Sequence, residues 1–182
     1  MESKLQIISG RWRGRKLRLP PNARPTQNRA RIALFNMLES LGVRPTRVWD
    51  AFAGSGAFGI ECLSRYSDAS AVFTDINPAT VRGNVMQLNI GARASVVAAD
   101  AMGVIGKYGA KSDLIFVDPP YADSEMGAEF VQRLGRVVAP GTIVIWEQDA
   151  PNAAPPDSGT WEILRDKQYG RARFIIMQRA GE

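Results

Sequence analysis

Histidine is absent from the 182 residues, which removes Ser-His-Asp triads, histidine general bases and histidine metal ligands together. Cysteine occurs once, at Cys62, so there is neither an internal disulfide nor a Cys-rich metal cluster, and no metal is expected. That residue falls early in a helical pattern, where a small buried thiol is the expected reading. Covalent attack on a pyrimidine, as C5 methylation requires, would want an exposed and activated thiol. No apolar run approaches the roughly 20 residues that span a bilayer, and the start, Met-Glu-Ser-Lys, lacks the plan of a signal peptide. A soluble, cytoplasmic, monomeric protein with no membrane partner is expected, of a length that suits one domain with a substantial core.

The charge that is present is unevenly placed. Residues 1–47 carry eleven Lys/Arg against two acids, and residues 48–182 carry twelve against sixteen, for a net charge of +5. A basic first quarter on a mildly acidic body is the footprint expected for a polyanion, most simply nucleic acid. Residues 5–19 form two short alternating runs around a glycine-punctuated turn, which predicts a β-hairpin. Its candidate nucleic-acid contacts are Arg11, Arg13, Arg15 and Lys16, with Trp12 either stacking on a base or covering the hairpin. Arg24-Pro25-Thr26 follows an irregular link, and Thr26 is placed to cap a helix over 27–41 that Gly42 stops. Arg29 and Arg31 are expected at its exposed start, and Arg24, Thr26 and Arg29 complete the candidate nucleic-acid-binding set. The division expected is a basic hairpin and helix over 1–42, then a catalytic domain over 43–182.

From Arg47 onward strands and helices alternate, which argues a doubly wound sheet with right-handed crossovers. Strands are expected at 48–50, 71–75, 95–98, 114–117 and 142–146, and helices at 60–66 (in part), 78–88 with Asn77 as cap, and 125–138. The tail breaks the rhythm: 161–164 and 173–177 read as two strands round a turn at Tyr169-Gly170. An antiparallel hairpin closing a mostly parallel seven-stranded sheet fits a Rossmann-like α/β methyltransferase better than a dehydrogenase.

The stretch Asp50-Ala51-Phe52-Ala53-Gly54-Ser55-Gly56-Ala57-Phe58-Gly59 joins the first strand to the first helix. Gly54, Gly56 and Gly59 have the G-x-G-x-x-G spacing, which supplies backbone freedom, close ligand approach and tight contact between helix and strand. By itself that spacing also suits a nicotinamide oxidoreductase. Asp50 and Phe52 before the first glycine change the reading, because a carboxylate beside the loop would repel a pyrophosphate and attract an ammonium or sulfonium. S-adenosylmethionine is therefore the expected cofactor, held by Asp50, Phe52, Ala53, Gly54, Ser55, Gly56 and Gly59. Four expected strands end at an acid, on the rim where ligands of open parallel sheets bind. Asp75, sixteen residues past Gly59, suits ribose hydroxyls, and Ile76 an adenine face. Asp100, with Ala101, suits the adenine amino group, and Asp118 borders the same pocket.

Asp118-Pro119-Pro120-Tyr121 follows the apolar run Leu-Ile-Phe-Val. The exocyclic amine of a base, or a carboxamide, is a weak nucleophile because its lone pair is delocalised. Asp118 and the Pro119 carbonyl are placed to accept from its hydrogens and aim the lone pair, Pro119 and Pro120 fix the backbone, and Tyr121 stacks on the ring. The same tetrad would serve an amino-methyltransferase acting on DNA adenine or protein glutamine, and a chain that keeps the pocket without turnover would be a non-catalytic RNA-binding assembly factor.

Over nearly its whole length the chain resembles the RsmD family of 16S ribosomal RNA guanine-N2 methyltransferases. The resemblance rests on Ile-Ile-Ser-Gly-Arg-Trp-Arg-Gly-Arg-Lys-Leu near the start, Arg-Pro-Thr at 24–26, Ala-Leu-Phe-Asn at 33–36, Phe-Ala-Gly-Ser-Gly at 52–56, Gly-Ile-Glu at 59–61, Leu-Ser-Arg at 63–65, Asp-Pro-Pro-Tyr at 118–121 and Tyr-Gly at 169–170. It implies methyl transfer from S-adenosylmethionine to N2 of one guanine, on assembled or partly assembled small subunits. The chain departs from the family after Arg-Pro-Thr, where Gln27-Asn28-Arg29-Ala30-Arg31-Ile32 replaces the usual Ser-Asp-Arg-Val-Arg-Glu and loses two acids.

Overall fold

The computed structural model describes residues 4–24, 26–120, 124–150 and 159–181. Seven strands form one sheet: β1 (Arg47–Asp50), β2 (Ser70–Asp75), β3 (Ala94–Ala98), β4 (Leu114–Val117), β5 (Ile143–Asp149), β6 (Trp161–Tyr169) and β7 (Ala172–Arg179). Their order is β3-β2-β1-β4-β5-β7-β6. The first five run parallel, and β7 lies antiparallel between β5 and β6. The expected sheet and closing hairpin are thus present, and the order reverses between β1 and β4, which puts a crevice at the carboxyl ends of those two strands.

Helices α1 (Asn28–Ser40), α2 (Ala57–Arg65), α3 (Ala79–Gln87), the short α4 (Ile105–Tyr108) and α5 (Ser124–Leu134) cover the sheet. Two apolar clusters result, one on each face. Leu34, Phe35, Phe58, Ile60, Phe73 and Phe116 belong to the first, and Trp49, Ile115, Phe130, Leu134 and Trp146 to the second. Strand β4 is buried at all four positions, as a central parallel strand must be, and so it reads as an unbroken apolar run.

The ends of several elements differ from expectation. Strand β5 continues three residues past Trp146, because Glu147, Gln148 and Asp149 still pair with Phe174, Arg173 and Ala172 of β7. Helix α5 ends at Leu134, before the expected Val138. A Cβ at the following Gly135 would stand 2.5 Å from the Thr160 side chain. The unassigned stretch after Asp100 holds α4 flanked by 3-10 turns, whose first turn is capped when the Asp100 carboxylate accepts from the Met102 amide at 3.0 Å. Asn77 makes no side-chain cap on α3, where Pro78 takes the cap position. Among the described residues no helix is long and apolar enough to cross a membrane.

The basic start is welded to the body. Its two runs pair as an antiparallel hairpin through one bridge, Gln6 to Lys16, with Ile7 N to Arg15 O at 3.0 Å and Leu17 N to Leu5 O at 2.9 Å. Leu5, Ile7, Trp12 and Leu17 all join the core cluster of the α1 and α2 face. Glu61, fully buried in α2, gathers the rest. Its carboxylate accepts from the amides of Ile8 (2.9 Å) and Ser9 (3.0 Å), from Arg31 Nη2 (3.2 Å) and from Arg65 Nε (2.8 Å). Arg31 is therefore not at an exposed helix start; it is 5 % exposed, and burial holds its guanidinium below the usual range against the pull of Glu61. Thr26 does not cap α1. The position falls to Gln27, which makes no side-chain cap, and the Thr26 hydroxyl turns instead to the sheet.

Candidate active site

The turn between β1 and α2 is built as its glycines require. Gly54 and Gly56 take φ of 55° and 78°, in the region that favours glycine. Gly59 serves packing: a Cβ there would stand 2.4 Å from the Phe73 ring of β2. The side of Gly54 on which a Cβ would stand is open, the nearest atom being Pro20 Cγ at 4.0 Å. The Gly54 amide donates to Asp75 Oδ2 at 2.7 Å, and the Asn77 amide to Asp75 Oδ1 at 2.8 Å, so the acid that ends β2 is locked beside the loop.

A cavity of about 740 Å³ lies along this rim. One wall is Asp50, Phe52, Ala53, Gly54 and Ser55; a second is Asp75, Ile76, Asp100 and Ala101; a third is Asp118, Pro119 and Pro120. Gly56 and Gly59 support the loop from behind and do not line it. Of the tetrad, Tyr121 lies outside the described residues. Asp118 faces the cavity bordered by the glycine turn, and Pro119 is wedged behind it, its ring 3.2 Å from where a Cβ on Gly127 of α5 would be.

The fourth wall comes from the extension. Pro20, Asn22, Ala23, Arg24 and Thr26 line the cavity. The segment is anchored at both ends. Asn84 of α3, fully buried, exchanges hydrogen bonds with the Arg18 backbone (2.9 and 3.0 Å) and donates to Ser55 O at 2.8 Å. At the other end the Thr26 hydroxyl donates to Glu147 Oε1 at 2.6 Å. Arg11, Arg13, Arg15, Lys16, Arg24 and Arg29 are exposed on this segment. Of the two readings open for Trp12, covering the hairpin is the one its placement matches: it is 7 % exposed and so not free to stack on a base, with the Arg11 and Arg93 guanidinium groups 5.3 and 5.7 Å from its ring centre.

Three carboxyl groups crowd the cavity floor. Asp50 is 1 % exposed, and burial pushes it up to about 7 against the hydrogen bond from the Gly59 amide at 3.0 Å, with Asp75 and Glu147 adding to the rise. Glu147, 2 % exposed, is likewise raised to about 7 by burial, opposed by the Thr26 hydroxyl and the Arg31 charge. Burial, then the charges of Glu147 and Asp50, hold Asp118 well above the usual carboxylate range. An ionised Asp118 in this setting binds a proton strongly.

Sequence reasoning missed Glu147, Asn84, Arg31 and Glu61 as parts of this architecture. An acid inside an otherwise apolar strand, Ile-Val-Ile-Trp-Glu, was the one signal for Glu147. The residues present fit S-adenosylmethionine: an open glycine face, acids at the ends of β1 and β2 for a cationic ligand with ribose hydroxyls, and Ile76, 72 % exposed, as an apolar platform for a ring.

Comparison with known proteins agrees with this layout. A family model described as conserved hypothetical protein 95 matches residues 5–178. Ribosomal RNA small subunit methyltransferase D of Escherichia coli is 34% identical over 185 residues, covering 98% of this chain and 91% of that one. The solved structure of Escherichia coli yhhF has 33% identity and a TM-score of 0.80, covering 97% of this chain and 98% of the other. A Salinibacter ruber RNA methyltransferase solved with S-adenosyl-L-homocysteine, at 17% identity and a TM-score of 0.66 over 87% of this chain and 95% of its own, shares the fold. The architecture is that of the class I methyltransferases.

Proposed function

We infer the function from one premise: the chain belongs to the RsmD family, which carries the description conserved hypothetical protein 95. It is an S-adenosylmethionine-dependent methyltransferase of ribosomal RNA. The finer reading is our proposal: the acceptor is the exocyclic N2 of a guanine in 16S rRNA, presented in the small subunit or an assembly intermediate, in the cytoplasm. The observation that supports it is the placement of Asp118 in one cavity with Gly54 and Asp75, so that an amine acceptor and a nucleoside pocket share a space.

When bound, the cofactor supplies an electrophilic methyl group on a cationic sulfur. Asp118 and the Pro119 carbonyl accept from the two amine hydrogens, which draws the nitrogen toward pyramidal geometry and turns its lone pair to the methyl. The nitrogen releases one proton as its new bond forms, and Asp118, a strong base when ionised here, takes it. The exposed arginines of residues 11–29 hold the phosphate backbone and set no sequence by themselves. Phe52, half-buried against Phe130 with ring centres 5.1 Å apart, stiffens the cavity wall it shares with the glycine turn.

The test is transfer of labelled methyl to small subunits or 16S rRNA from cells lacking the enzyme, followed by nucleoside mass analysis. N2-methylguanosine is the expected product, and Asp118→Ala should abolish transfer while keeping S-adenosylhomocysteine affinity in calorimetry. Label confined to DNA or protein, or an active Asp118→Ala, refutes the reading.

A further inference from the structure

Glu147 is a costly residue for the place it occupies. The ladder between β4 and β5 ends at Val117 paired with Trp146, and the next step sets Asp118 beside Glu147, neighbouring strands being about 4.8 Å apart. Val117 and Trp146 face one apolar cluster and Phe116 and Ile145 the other. Alternation therefore turns both acids to the face that carries α1 and the extension. A third carboxyl is thus buried near Asp50 and Asp118. Accepting one hydroxyl does not require that, since a glutamine oxygen would do so without the like-charge cost.

The hydroxyl it accepts is also singular. Among the described residues, Thr26 makes the hydrogen bond that joins the stretch 20–26 to the sheet. That stretch is the cavity wall nearest the exposed arginines. We propose that Glu147 is a positioning residue for transfer: through Thr26 it fixes the wall past which the acceptor base enters, and beside Asp118 it sets when that carboxylate can take the amine proton. The inference rests on the reading of Asp118 as the amine acceptor.

The groups that act on the pair are few. Asp118 feels Glu147 from β5 and Asp50 from β1. Glu147 feels Thr26 and, from α1, Arg31. Removing the Glu147 charge therefore eases ionisation of Asp118, and transfer, which needs the ionised form, should begin at lower pH.

The experiment measures initial rates on 16S rRNA or small subunits between pH 5.5 and 8.5. Glu147→Gln should move the acid limb of the profile down by on the order of one pH unit and leave the KM for RNA near that of the parent, because the amide oxygen still accepts from Thr26. Thr26→Val should raise the KM for RNA by roughly five- to tenfold, and Thr26→Ser, which keeps the hydroxyl, should restore it. S-adenosylhomocysteine affinity should stay constant in all three. An acid limb of Glu147→Gln that overlays the parent's, or an unchanged KM in Thr26→Val, overturns the inference. Should Glu147→Gln fail to fold by circular dichroism, the Thr26→Val and Thr26→Ser pair decides on KM alone. A fully active Asp118→Ala would remove the function reading itself, and this inference with it.

Discussion

Replacing Glu61 by glutamine keeps the shape of the side chain and removes the charge on which the basic extension is hung. Each carboxylate oxygen serves two donors: Oε2 takes the Ile8 amide and Arg31 Nη2, and Oε1 takes the Ser9 amide and Arg65 Nε. Either orientation of the new amide therefore sets an NH2 against two donors, and Arg31, 5 % exposed, loses its buried counter-charge. Breaking such a pair from one side costs about 3–5 kcal/mol, a large share of the 5–15 kcal/mol typical of a folded domain. At roughly 2–4 °C per kcal/mol for a chain of this size, Tm should fall by roughly 6–20 °C. Calorimetry measures the fall, and limited trypsin digestion should show earlier cleavage at the arginines of residues 11–18. A double-mutant cycle with Arg31→Met should give a coupling above about 1 kcal/mol, since the two side chains share one network. A Tm within about 2 °C of the parent together with an unchanged digestion pattern would refute the view that this carboxylate secures the extension.

Gly59→Ala should destabilise the protein by about 1–3 kcal/mol in urea unfolding, because its Cβ would stand 2.4 Å from the Phe73 ring in a tightly filled core; a neutral variant would mean that α2 can shift. Asp50, raised to about 7 in the fold from 3.8, keeps its proton where the unfolded chain loses it. Its contribution is thus present below about pH 4 and is lost as pH climbs to about 7. The ligand-free protein should lose stability over that range, and Asp50→Asn should flatten the slope in unfolding curves at pH 5, 6 and 7; equal slopes would refute it. Replacing Arg11, Arg13 and Arg15, all exposed, should weaken RNA binding and lower its salt slope by roughly two in filter binding, with cofactor affinity unchanged. Equal RNA affinity at moderate salt would move the RNA footprint elsewhere.

What is legible in the chain is what local chemistry dictates. The glycine spacing marks the turn because Gly54 and Gly56 need positive φ and Gly59 has no room for a side chain. The central strands are legible because burial on both faces leaves only apolar letters, as in Leu114–Val117. Strand β5 reads as ending at Trp146 because Glu147 and Gln148 look like loop residues until β7 is laid beside them. Thr26 reads as a cap on the same local grounds, since nothing near it in sequence reveals a partner 121 residues away. Arg31 and Glu61 belong to the same class: a charge on a helix is exposed by default, and only tertiary packing supplies the exception.

Those exceptions fall at one place, the seam between the basic extension and the sheet, and this bears on how the enzyme is organised. An appendage that merely delivered RNA would need charge on its surface and a tether. This one also contributes Leu5, Ile7 and Leu17 to the core and a wall to the cavity. Asn84 joins Arg18 O and Ser55 O through a single amide, so the last basic residue of the hairpin and the glycine loop share one anchor. Asn84→Ala would leave both carbonyls and the Arg18 amide without that partner, a loss of about 1–3 kcal/mol for each group left unsatisfied. On the proposed function, Asn84→Ala should therefore weaken S-adenosylhomocysteine and RNA binding together, whereas the arginine replacements should weaken RNA binding alone. Calorimetric titration of both ligands on each variant separates the two patterns, and an Asn84→Ala protein impaired for one ligand only would show that loop and extension act independently.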